Sequence, residues 1–90
     1  MTLRPLALLV LLALPGAAHA DQAAATACSA RLSKDGQMFY NKVAPTVTAS
    51  TDIREALQGV ARPLVMDGIL SRDAARTAAE AAGECLKHLR

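Results

Sequence analysis

SRDAARTAAEAAGECLKHLR, Ser71 to Arg90, is the stretch that decides the fold. Ala75, Ala78, Ala82, Leu86 and Leu89 recur every three or four positions, so one stripe of a long helix is apolar. Asp73, Arg76, Glu80, Glu84 and Lys87 fall on the opposite side. The spacing predicts a helix from about Arg72 to Leu89. Ser71 is its N-cap, and Asp73 is a carboxylate in the first turn that suits the helix dipole. Because the stripe is mostly alanine, other helices can approach it closely. Arg76–Glu80 and Glu84–His88 stand four apart and are expected to pair weakly in solvent.

The same stretch carries Cys85 and His88, three apart. A metal site, an activated thiol and a disulfide are the three readings of Cys85. After residue 20 the chain offers only Cys28, Cys85 and His88 as cysteine or histidine ligands, with Glu84 as a carboxylate to complete a set. The close paired spacings of zinc motifs are missing, so a metal is not expected. A thiolate is also disfavoured at a helix C-terminus, where the dipole raises a thiol pKa, and no third residue stands out to orient His88. At about 100° per residue, Cys85 lies on the flank of the apolar stripe while His88 turns toward water. Cys85 therefore pairs with Cys28, and His88 is left on the surface.

Export supports that pairing. Arg4 precedes an unbroken apolar run, Leu6 to Leu14, followed by Pro15, Gly16 and the small residues Ala18 and Ala20 around His19. This is the pattern of a secretory signal peptide, residues 1–20, with cleavage between Ala20 and Asp21. The apolar run is about half of the ~20 residues a membrane span requires. No cysteine stands at the junction to carry a lipid, and no later stretch is apolar enough to span a membrane. The chain is expected to be periplasmic or secreted, where disulfides persist.

Residues 21–90 then form one small domain. It holds 13 residues of Leu, Ile, Val and Phe but 15 alanines, so burial alone offsets its ordering entropy poorly. A covalent staple is the usual remedy in small exported domains. Nine basic side chains face eight acidic ones, a near-neutral balance. In sequence the basic residues form no cluster, so nucleic acid is not an expected partner.

The remaining segments also read as helix. DQAAATACSARL, residues 21–32, places Ala24, Cys28 and Leu32 on one stripe. Ser33 caps a second helix, KDGQMFYNKV, with Phe39 as core anchor and Tyr40 at the edge. A single continuous helix would set Asp35 in the apolar stripe and Gly36 in the interior, which argues for a break. APTVTAS, residues 44–50, is a loop, since Pro45 disfavours helix at Ala44. Thr51 or Asp52 caps the third helix, and Asp52 with Glu55 has the capping-box spacing. Ile53, Leu57, Val60 and Leu64 form its stripe. Pro63 predicts a kink or a new turn, and Asp67–Gly68 a stop. Gly68 takes the left-handed conformation after the helix end, and Ile69 and Leu70 return to the core. The turn resembles that of DNA-reading helical hairpins, but the following helix starts with mixed charge and the chain is exported, so an ordinary hairpin is expected.

The fold class is all-α: a small bundle of four to five short helices, the first and last joined by Cys28–Cys85. No catalytic residues, metal site or cofactor motif are identified. There is one histidine after the leader and no glycine-rich phosphate loop, which argues against an enzyme. The expected function is a protein-binding accessory or interaction module whose partner is another exported protein. The alternatives are a stress-protective periplasmic chaperone and a thiol–disulfide redox carrier.

Overall fold

The computed structural model describes residues 21–90. The leader with Ala20, and so the cleavage junction, lies outside the described residues. Four α-helical segments follow one another, with no strand among the described residues. These are α1 (residues 21–30 of the described chain), α2 (Lys34–Val43), α3 (Ile53–Met66) and α4 (Arg72–Leu86). Short 3₁₀ turns extend α2 over Ala44–Thr46 and α4 over Lys87–Leu89.

Each of α2, α3 and α4 begins where a side chain satisfies an orphan backbone donor. Ser33 Oγ accepts from the Gly36 N–H at 3.1 Å, Asp52 Oδ1 from Glu55 at 3.1 Å, and Ser71 Oγ from Ala74 at 3.0 Å. Ser33 thus separates α1 from α2. Gly36 eases the close approach at that corner, where a Cβ would stand a tight 3.2 Å from Leu32 Cβ. Gln37 Nε2 reaches back to the Ser29 carbonyl at 3.3 Å and helps hold the two helices together.

The α3–α4 turn has a full Schellman pattern. The Ile69 N–H donates to the Leu64 carbonyl at 2.9 Å and the Gly68 N–H to Val65 at 3.1 Å, with Gly68 at φ +75°. This turn alters one expectation. Ile69 is 63% exposed, because its N–H is spent on Leu64 while the reversal at Gly68 directs the side chain outward. Leu70 alone packs against the core.

The core lies where α2 and α4 meet. Phe39, Tyr40 and Val43 of α2 are buried with Ala75, Ala78, Ala82, Cys85 and Leu86 of α4. Helix α3 adds Ile53 and Leu57, and α2, α3 and α4 all touch one another. Tyr40 was expected at the edge and is instead buried, since it neighbours Phe39 on the face that meets α4. That burial raises the phenol pKa above its ordinary value of 10.0.

Three other local expectations change. In α1 it is Ala25, not Ala24, that is buried beside Cys28, so the inward row steps three rather than four positions. Ala44 is helical despite preceding Pro45. Its N–H bonds the Tyr40 carbonyl, and the proline occupies an early 3₁₀ position where no donor is required. Pro63 does not divide α3. The one bond it removes would have gone to Gly59, which is exposed and can be hydrated, and the helix runs on to Met66, with the Pro63 carbonyl accepting from the Asp67 N–H at 2.9 Å.

Candidate functional site

Two places in the molecule bear on function, the cysteine pair and a groove. Cys28 and Cys85 are disulfide-bonded, with Cα atoms 5.4 Å apart and a sequence separation of 57. The bond joins α1 to α4. Cys85 is fully enclosed and Cys28 half-buried, as two stripes facing each other require. With both sulfurs in this bond, neither a thiolate nucleophile nor a thiolate metal ligand remains. No group of three or more His, Cys, Asp or Glu side chains among the described residues is placed to hold a metal.

His88 and Glu84, expected to pair, do not. Helix α4 tightens into a 3₁₀ turn at Lys87, and Lys87 Nζ takes the Glu84 carboxylate at 3.0 Å. Both side chains are well exposed, so the pair contributes little to stability. Arg76 and Glu80 form no ion pair either, and His88 stays on the surface.

The second place was not anticipated from the sequence. Helices α3 and α4 run antiparallel, joined by the turn at 67–71, and they splay into an open groove of about 1180 Å³. Its floor comes from two rows of four-residue spacing. Leu57, Ala61 and Val65 belong to α3, and Ala75, Ala79 and Gly83 to α4. At one point the helices close up. A Cβ on Gly83 would stand 3.3 Å from Leu57 Cδ1, so glycine lets them meet there. Beyond that point Ala79 and Ala75 make the α4 side of the floor, and the gap stays open. Met66, 78% exposed, lies at the far end.

The rim is basic. Arg54 and Arg62 from α3, Arg72 and Arg76 from α4, and Lys87 and Arg90 line the groove. These are six of the nine basic side chains after residue 20, against three carboxylates, Asp52, Glu80 and Glu84. The other five carboxylates lie elsewhere with only three basic residues. The near-neutral chain is therefore polarised. Arg90 donates to the Thr51 carbonyl at 3.0 Å, which fixes the C-terminal end of the chain beside the start of α3. A signal for this arrangement did exist in the sequence. Arg54, Gln58 and Arg62 recur every four residues, as do Arg72 and Arg76, and the hairpin apposes the two rows.

No helix among the described residues is long and apolar enough to cross a membrane. The disulfide is compatible with an oxidising compartment. No family model, curated protein or solved structure matches the chain.

Proposed function

We propose that the protein is a small exported module that acts by binding another protein, in the periplasm or in the secreted medium. One observation carries this reading: the α3–α4 groove leaves Ala61, Val65 and Ala79 only partly buried and Met66 exposed, in a molecule with little apolar area to spare. Exposed apolar surface rimmed by charge is the usual composition of a protein contact. The groove is open and larger than the ~300–1,000 Å³ of small-molecule sites, so it suits a polypeptide surface better than an enclosed ligand. The disulfide, on this reading, holds the scaffold.

Affinity capture from a periplasmic extract, using the tagged and oxidised protein, tests the proposal. The expected result is a reproducible partner in stoichiometric amount at neutral pH. Many substoichiometric clients appearing only at acid pH would instead support a stress-protective chaperone. Ready reduction of Cys28–Cys85 by a dithiol carrier, with no partner retained, would support a redox carrier.

A further inference from the structure

We infer that the α3–α4 groove receives an acidic amphipathic helix of the partner, apolar stripe down and carboxylates against the arginine rim. The inference rests on the protein-binding reading and names its site and chemistry.

Shape is the first argument. Two antiparallel helices of 14 and 15 residues border the groove, so it is about 21 Å long at 1.5 Å per residue. An amphipathic helix of about four turns matches that length, and laying an apolar helix face into such a groove is a recurrent mode of recognition. The floor rows repeat every four residues, which is the period of the i, i+4 ridges that a third helix would set against them.

Charge is the second argument, and it selects the occupant. The six cations are spread along the groove. Arg54, Lys87 and Arg90 lie toward the start of α3, and Arg62 and Arg72 lie toward the α3–α4 turn, with Arg76 one turn further along α4. Lys87 is engaged by Glu84 and Arg90 by the Thr51 carbonyl, but Arg54, Arg62, Arg72 and Arg76 make no side-chain ion pair or hydrogen bond among the described residues. A single-headed amphiphile would use one end of such a rim and leave the other unmatched. A helix with carboxylates flanking its apolar stripe matches both. A nucleic acid strand would find no aromatic ring in the groove for its bases, since Phe39 and Tyr40 are buried elsewhere.

The test uses the disulfide-bonded full chain and defined probes. An 18-residue helical peptide carries leucines at i, i+3, i+4 and i+7 spacing with glutamates on both flanks. Its controls are the same peptide with lysine for glutamate and a scramble of the glutamate sequence. Anionic phosphatidylglycerol vesicles and a single-stranded oligonucleotide are the competing ligands. The glutamate peptide is expected to bind about tenfold or more tightly than either control, with affinity falling as salt rises. The double variant Arg62→Glu with Arg76→Glu is expected to lose about tenfold or more of that affinity while melting as the wild type does. Equal binding of the glutamate peptide and its scramble would overturn the inference, as would binding of vesicles or oligonucleotide without the peptide. A partner captured equally by wild type and double variant leaves the protein-binding reading standing and removes the groove from it. Absence of any captured partner removes the reading itself.

Discussion

The two sides of α4 are built differently. Toward α2 and α1 it meets Phe39, Tyr40 and Val43, and Cys85 closes onto Cys28. Of the largest fully buried side chains, Phe39, Leu86 and Cys85, two belong to that side, Phe39 of α2 and Cys85 in the bond to Cys28. Toward α3 it offers Ala75, Ala79 and Gly83, and only Ile53 and Leu57 of the 14-residue α3 are buried. A chain with so few large apolar residues has concentrated them in one place. What remains on the other side is enough to dock a helix and too little to close the gap. The tightly packed core and the open groove thereby lie on different faces of one helix.

The largest expected effect comes from opening the clasp. Cys28→Ser with Cys85→Ser removes the constraint on a loop of 57 residues, worth about 4 kcal/mol in the chain-entropy treatment. Urea unfolding of the double variant should show a loss of that size, a large part of the total stability of so small a domain. Next is Leu86→Ala, which leaves a void in the core and is expected to cost about 3 kcal/mol. Loss of well under 1 kcal/mol from either would break the comparison. Removing the cap Ser71→Ala should cost about 1 kcal/mol by thermal melting, since it frees the Ala74 N–H at the start of the shared helix.

Tyr40 supplies a pH test of the same side. Burial favours its neutral form, so the folded pKa lies above that of the unfolded chain. Its contribution is fully present below pH 10.0 and is lost as pH rises through the raised folded value. It is the only tyrosine in the chain, so Tyr40→Phe isolates the effect. Denaturation midpoints followed from pH 8 to 11.5 should fall less steeply above pH 10 in the variant. Parallel curves would mean that the ring is not desolvated in the folded protein.

How much of this was legible beforehand depends on the range of the interaction. The caps Ser33, Asp52 and Ser71 were readable because each bond spans three residues. The stripe from Ala75 to Leu89 was readable because helical periodicity fixes it. Cys28–Cys85 followed from two cysteines, both inward, in a chain expected to be exported. Local preference misled at Ala44, where the bond to the Tyr40 carbonyl outweighs it, and no new helix begins at Pro63, since α3 runs on to Met66. Ile69 and the Glu84–Lys87 pair depended on the detailed path of a turn and a helix end. The basic rim escaped because its members are scattered over Arg54 to Arg90. Only the antiparallel pairing of α3 and α4 gathers them.

The central claim is that the exposed rim of the groove is not needed to hold the fold. Urea unfolding of the oxidised triple variant Arg62→Glu, Met66→Ser and Arg76→Glu, beside wild type and Leu86→Ala, tests it most directly. All three altered positions are exposed, so the triple variant should stay within about 1 kcal/mol of wild type while Leu86→Ala falls by about 3 kcal/mol. A triple variant as unstable as Leu86→Ala would contradict the account, because the open face would then be part of what keeps the protein folded.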